Sequence, residues 1–556
     1  MSKRAPKHFF SKNASVSYPR TRFDMSCVKT TTLTTDYLYP VYCELVLPGD
    51  TWNLSVSNFI RMISPIDVPM MDNLYADYHF WFCPWRLNWK NTKYFFGEQD
   101  RTPNVDEDYT IPQIEFDSTV SSSGYTNGFT GFAGLPQCGS IYDYFDIPIQ
   151  GTDGLLTGDF SINALPLRAY NLIYDDWYRD EQRCSLSYYN DGDTADTADK
   201  YYLKKRGKRF DLMTSSLLEP QMGSPVDIPL GTSAPVVYGS ALTYGNYSNA
   251  LPLANYAGAQ VGVYNSSSIS SNREFGYVDA NNTTGTVLPL VTDLSNASAA
   301  TVASLRQAFQ MQAFQEIQAR GGSRMVETIY NQYGVIQPDI LSRPEYLGGM
   351  HQQLTVQPIV QNSSTDNTSP QGNLSGIIYG AYGDHGFVRS FTEPGYIIGI
   401  MNIYADLTYF QGLDRHWSLS TILDVPMPIF ANLTDEALYK KQIVLTGGSN
   451  STDDDVFGYV ERYAPFKYAK NTLSGLVRPN APQTIGQWSL AEMFTSVPQN
   501  TYQFIEMNTP ISRIEAVNAG DGSNNPHAFI VNQKFTGNVV RCLPAYSDPM
   551  RWMMRA

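Results

Sequence analysis

Charge is scarce in this chain: Asp, Glu, Lys and Arg make up 17% of its 556 residues, well under the usual quarter of a soluble domain. Hydrophobic residues reach 42%, which excludes a globally disordered chain and allows a large core. Cysteine is scarce too. Cys27, Cys43, Cys83, Cys138, Cys184 and Cys542 include no C-x-x-C pair, which argues against a disulfide framework or a zinc site and predicts reduced, mostly buried thiols. No apolar run approaches the roughly eighteen residues of a membrane span. The opening Met-Ser-Lys-Arg-Ala-Pro lacks the apolar stretch of a signal peptide. Asn-x-Ser/Thr triplets, as at Asn246 and Asn432, are then chance products of Asn- and Ser-rich loops. The expectation is a soluble protein made in a cytoplasm.

Catalytic patterns are missing as well. There is no H-E-x-x-H, no G-x-S-x-G, no Walker loop and no G-x-G-x-x-G after a strand. His8, His79, His351, His385, His416 and His527 are widely separated, so isolated hydrogen-bonded histidines are expected rather than metal ligands. Asp453-Asp454-Asp455 could hold a divalent cation or form a solvated acidic turn. The basic run Lys204, Lys205, Arg206, Lys208 and Arg209 could meet phosphate or form a solvated loop. No cofactor, metal or catalytic residue is assigned, and the chain reads as a non-enzyme.

What the chain has is 38 Tyr, 27 Phe, 41 Gly and 33 Pro, with many Ser, Thr and Asn. This mix favours strands joined by long polar loops. A low-charge, tyrosine-rich surface also suits burial against other copies of the chain. Charge is unevenly spread. Residues 1–30 hold Lys3, Arg4, Lys7, Lys12, Arg20, Arg22 and Lys29 against Asp24 alone, a net of +6, whereas the whole chain carries −14; the remainder is therefore near −20. A basic arm can neutralise phosphates, although a flexible soluble terminus is the plainer reading.

Tyr37 to Leu47 alternates as a strand and stops at Pro48-Gly49-Asp50. Trp52, Leu54 and Val56 alternate with Asn53, Ser55 and Ser57. Leu74 to Trp85 is apolar on both faces, which places it inside a sandwich or a subunit contact. Residues 100–165 read as long loops. Leu167, Tyr170, Ile173, Tyr174 and Trp177 recur at helical spacing. The stretch 232–300 holds only Arg273, Glu274, Asp279 and Asp293 as charges and reads as an insertion. Leu305, Ala308, Phe309, Ala313 and Ile317 mark a helix ended by Gly321-Gly322. Val326, Ile329, Tyr330 and Tyr333 mark another between Ser323 and Gly334. Tyr396 to Phe410 alternates as a strand, and two more are expected near 527–533 and 537–543. Strands at both ends that share a sheet pair are what a Greek-key or jelly-roll sandwich requires.

Several segments carry a family likeness. Ala319-Arg320-Gly321-Gly322-Ser323-Arg324, then Tyr333-Gly334-Val335 and Arg343-Pro344-Glu345-Tyr346-Leu347-Gly348-Gly349, closely resemble the major capsid proteins of gokushoviruses, small bacterial viruses of the microvirus family. Leu47-Pro48-Gly49-Asp50, Pro69-Met70-Met71-Asp72-Asn73, Cys83-Pro84-Trp85-Arg86-Leu87, Ser369-Pro370-Gln371-Gly372-Asn373-Leu374 and Glu461-Arg462-Tyr463 resemble it in the same order. The stretch 232–300, the arm before Arg22 and the tail Met550–Ala556 depart from it.

The resemblance implies a mainly β chain: an eight-stranded antiparallel jelly-roll barrel with long loop insertions and a few short helices. The implied divisions are a basic N-terminal arm (1–30), a first jelly-roll part (31–231), a variable surface insertion forming a threefold protrusion (232–300), and a helical segment with the second jelly-roll part (301–556). It further implies sixty copies in a T=1 shell with fivefold, threefold and twofold contacts, enclosing circular single-stranded DNA. The expected partners are a small basic DNA-packaging protein, scaffolding and pilot proteins, and a host surface receptor; the expected location is the virion, assembled in the bacterial cytoplasm. Lys3, Arg4, Lys7, Lys12, Arg20 and Arg22 are the candidate DNA contacts. Tyr238, Tyr244, Tyr247, Tyr256, Tyr264, Arg273 and Tyr277 are the candidate host-attachment residues. The rival readings are a secreted carbohydrate-binding or carbohydrate-cleaving β-sandwich, and a tail or adhesin protein, which would show internal repeats.

Overall fold

A computed structural model of the chain describes residues 19–98, 109–120, 131–224, 226, 236–238, 242–243, 250–254, 260–265, 275–279, 286–292, 302–322, 324–362, 371–448, 452–516 and 527–546. The chain divides into two units, Met1–Pro220 with Gln332–Ala556, and Gln221–Asn331.

The first unit is built on nine strands: β1 Thr21–Asp24, β2 Cys27–Leu33, β3 Tyr39–Val46, β4 Thr51–Met62, β5 Leu74–Pro84, β6 Glu345–Val360, β7 Leu374–Ser390, β8 Gly395–Ala405 and β9 Phe529–Arg541. In space they follow the order β1/β2, β9, β4, β7, β6, β5, β8, β3, antiparallel throughout. β1 pairs with Asn538–Arg541 and β2 with Phe529–Phe535, so the two share one edge of β9 and eight positions result. Divided between β6 and β7, this order gives two interlocked four-stranded sheets, the connectivity of a jelly roll. The expected fold class is borne out.

Alternation explains how the sheets meet. On β4, Trp52, Leu54, Val56, Ile60 and Met62 are buried, while Asn53, Phe59 and Arg61 are exposed. On β9, Phe529, Val531, Phe535 and Val539 are buried in the same way. The inner faces pack on each other: Tyr42 of β3 lies 4.7 Å from Phe535 of β9, and Phe80 of β5 lies 5.3 Å from Phe387 of β7, centroid to centroid. β5 and β8 are buried on both faces. Their outer side is covered by a helix, α1 Leu165–Ile173, and the π-helical turn Tyr174–Tyr178 that continues it; Trp177 sits 4.8 Å from Trp81. That cover explains why β5 lacks a polar face.

Several boundaries need correction. Residues 100–165 are not only loops: Gln113–Phe116 pairs with Phe160–Asn163 and Asp196–Thr197, and Phe116, Tyr142 and Tyr144 are buried. The two C-terminal strands are one, β9, and β8 stops at Ala405 rather than Phe410. The pattern reading missed β6 and β7 altogether. Only Cys83 is buried; Cys27, Cys138 and Cys542 are exposed, so the expectation of mostly buried thiols fails, although none of the six forms a disulfide.

In the second unit, Val236–Tyr238, Leu242–Thr243, Ala250–Ala254, Gln260–Asn265, Phe275–Asp279 and Thr286–Thr292 form an antiparallel sheet. A long helix, α2 Val302–Gly321, ends before Gly322 at φ +85°, and α3 Met325–Tyr333 ends before Gly334 at φ +66°. Both stops fall where the glycines indicated, because glycine adopts this left-handed conformation at little cost. The expected cap Ser323 lies outside the described residues. The residues that marked α2 in the sequence lie largely open: Phe309, Ala313 and Ile317 are exposed.

Candidate assembly surface and buried charge clusters

The run 204–209 is neither a solvated loop nor a free phosphate site. Lys204 and Lys208 are buried. The Lys204 ammonium lies 3.4 Å from the centre of the Tyr202 ring, and Lys208 pairs with Glu492 at 2.6 Å. Lys205 stands over Tyr37, 5.5 Å from its centroid. Arg206 pairs with the buried carboxylate of Asp77 on β5 and also donates to Asn402 of β8 at 3.3 Å. Arg209 is exposed, 3.9 Å from Asp77 and 4.7 Å from the Tyr404 ring centroid. Arg206 and Arg209 thus bind the segment to the outer face of the β5–β8 sheet, while Lys204, Lys205 and Lys208 anchor it to Tyr202, Tyr37 and Glu492. A charge removed from water needs a close partner, and apart from Tyr202 each partner here lies far away in sequence.

Asp77 is the hub of this face. His351 of β6 approaches it through Nδ1 at 2.5 Å, and the Tyr404 hydroxyl donates to it at 3.4 Å. Burial pushes the Asp77 carboxyl up, but Arg206 and His351 more than offset this and leave it below its ordinary range. A second hub is Asp196, which accepts from Arg168 Nε at 2.7 Å, Tyr188 at 2.9 Å, Asn190 at 2.6 Å and Tyr201 at 2.8 Å. There too burial raises the carboxyl and these bonds more than reverse it. Sequence reasoning missed both hubs, because a single Asp within an aromatic strand or a polar loop carries no pattern.

The acidic triplet is spent locally. Asp453 accepts from the backbone of Thr446 and Gly447, while Asp454 and Asp455 pair with Lys441 at 2.7 Å and Lys440 at 3.0 Å. Among the described residues no group of three or more His, Cys, Asp or Glu is placed to hold a metal ion. His79 Nδ1 lies 2.7 Å from the Tyr178 hydroxyl, and burial pushes its pKa down to about 4. Among the described residues no helix is long and apolar enough to cross a membrane.

Of the candidate DNA contacts, Arg20 and Arg22 are exposed on the jelly-roll edge. Arg20 donates to the Gly49 carbonyl and, at 2.8 Å, to Thr51 Oγ1; Arg22 donates to Asn538 Oδ1 at 3.0 Å. Lys3, Arg4, Lys7 and Lys12 lie outside the described residues. Of the candidate host-attachment residues, Tyr238, Tyr264 and Tyr277 stand on strands of the second unit's sheet. Tyr244, Tyr247, Tyr256 and Arg273 lie outside the described residues.

Comparison with known proteins converges on one class. The chain is 38% identical over 533 residues to capsid protein VP1 of Bdellovibrio phage phiMH2K, covering 94% of each chain. It is 34% identical over 616 aligned positions to capsid protein VP1 of Chlamydia phage 1, covering 98% of this chain and 97% of that one. Capsid protein VP1 of Spiroplasma virus 4 is similar at 27% identity over 543 residues, covering 92% of each. A family model described as capsid protein (F protein) matches residues 11–551. These are structural proteins, not enzymes, so the carbohydrate-cleaving reading is set aside and the gokushovirus-like resemblance is borne out. As a virion component that assembles in many copies, the chain belongs to the phage capsid protein (F protein) family.

Proposed function

We propose that the chain is the major subunit of a T=1 icosahedral shell in which sixty copies, meeting at fivefold, threefold and twofold axes, enclose circular single-stranded DNA. The observation that carries this reading is the end-to-end likeness to the two phage VP1 capsid proteins, whose alignments span 94% and 97% of those chains. In this reading the stretch 232–300 is the surface insertion at the threefold axes, and it presents Tyr238, Tyr244, Tyr247, Tyr256, Tyr264, Arg273 and Tyr277 to a host receptor. Its low charge and its tyrosines suit a contact surface. The first thirty residues face inward, where Lys3, Arg4, Lys7, Lys12, Arg20 and Arg22 meet phosphates without base specificity. The arm's net +6 against a body near −20 supports that division of labour, with a small basic protein supplying further neutralisation. Scaffolding and pilot proteins complete the particle in the bacterial cytoplasm.

Particles from cells producing the full chain together with the other virion proteins test the reading. Electron microscopy should show closed shells of one diameter containing sixty subunits and nuclease-protected single-stranded DNA. Only soluble monomers, or open filaments, would overturn it. Shells lacking residues 2–20 that still package DNA at normal yield would remove the arm from the proposal and leave the shell standing.

A further inference from the structure

We propose that Trp417–Leu433 is a subunit contact, covered in the shell by a second copy of this chain; the inference rests on the capsid reading above. The segment follows β8 in the chain and runs through three short turns, Arg415–Ser418, Ile422–Asp424 and Pro428–Phe430. Its large side chains face outward: Trp417 is 70% exposed, Ile422 72%, Leu423 67% and Ile429 82%. Isolated exposed hydrophobics are ordinary, but so many along one short segment mark a surface that another molecule covers.

The segment is held in place before any partner arrives. Asp424 accepts bonds from the backbone N–H of Thr421 at 2.8 Å and of Ser420 at 3.1 Å, and from both hydroxyls. The backbone N–H of Met427 donates to the Tyr463 hydroxyl at 3.2 Å. At the near end Asp414 pairs with Lys470 at 2.6 Å, and Arg415 stacks on Tyr439 with its guanidinium 4.9 Å from the ring centroid. A surface ordered in advance loses little entropy on docking.

Its chemistry selects the occupant. Trp417–Leu433 contains no Lys, Arg or His, and its one acid, Asp424, is consumed by the turn it caps. The segment itself offers no cationic side chain to a nucleic-acid phosphate or an anionic lipid headgroup, and only His416 adjoins it in sequence, 4.7 Å from the Trp417 ring. A mainly apolar surface around a tryptophan, with a single carboxylate tied into its own turn, is the make-up of a protein–protein centre. A capsid subunit meets copies of itself on its flanks, so a second copy is the partner that every particle supplies.

The test compares the full-length wild type with an Ile422→Asp, Ile429→Asp double variant by sedimentation velocity and negative-stain microscopy. The variant should show at least a tenfold fall in assembled protein while its subunit still melts cooperatively. An Ile422→Val, Ile429→Leu pair should assemble as the wild type does. If the aspartates abolish the cooperative melt, Trp417→Ser with Ile429→Ser gives the same readout. Equal assembly by wild type and charged variant overturns this inference alone. So does normal self-assembly coupled with failure to bind another virion protein or lipid vesicles. A wild type that forms no particles even when produced together with the other virion proteins overturns the capsid reading along with it.

Discussion

Burial acts with opposite sign on Asp36 and His79. Asp36, held at φ +75°, accepts from the Thr509 N–H and hydroxyl, yet burial raises its pKa from 3.8 to about 6. A folded-state pKa above the unfolded one means the contribution to stability is complete below about pH 4 and is lost as pH rises through 6, about 3 kcal/mol if fully realised. His79, half-buried beside Tyr178, Trp81 and Tyr346, falls from 6.5 to about 4. Its contribution is present above pH 6.5 and is lost as pH falls through 4. Thermal unfolding of the subunit between pH 4.5 and 7 separates the two. The stability gap between wild type and His79→Gln should shrink on acidification, whereas the gap between wild type and Asp36→Asn should widen. Gaps that move together would mean that one of these groups is solvated in the folded chain.

Among elements, β8 is buried at every position and leaves little room for a larger side chain. A Cβ added at Gly399 would lie 2.8 Å from the Tyr78 hydroxyl and 2.9 Å from Tyr42 Cβ, so the residue lets two tyrosines close over the strand. Gly399→Val should cost about 1–3 kcal/mol through overpacking, read as a lower urea midpoint at unchanged slope; an unchanged midpoint would show that the tyrosines shift freely. Strands β3, β4, β5 and β8 were legible in the sequence because their own side chains alternate or run apolar. β6 and β7 were not. β6 reads Glu-Tyr-Leu-Gly-Gly-Met-His-Gln-Gln at its start and is mostly exposed or half-buried. It is a strand because β5 and β7 satisfy its backbone, not because it has an apolar face. The basic run at 204–209 was misread for a related reason. Asp77 and Glu492, which neutralise two of its members, are distant in sequence, and spacing along the run cannot reveal them.

At the scale of the whole molecule, meeting of the two chain ends was the most readable feature, since strand patterns at both termini must pair somewhere. The structure makes that pairing central: β9 sits between β2 and β4, matching Phe529–Phe535 with Cys27–Leu33 and Phe529–Val540 with Thr51–Met62. Contacts of such long sequence separation form late and slowly. The order also has a consequence for synthesis. Until residues 529–541 exist, β2 and β4 have no common neighbour, and each keeps an open hydrogen-bonding edge. A chain stopped short of Phe529 should therefore aggregate or be degraded and leave no folded subunit, as pulse-labelling of a truncation would show. Completion of the polypeptide thus becomes the condition for a first sheet that can be closed, and unfinished copies are barred from the shell before any neighbour has to reject them.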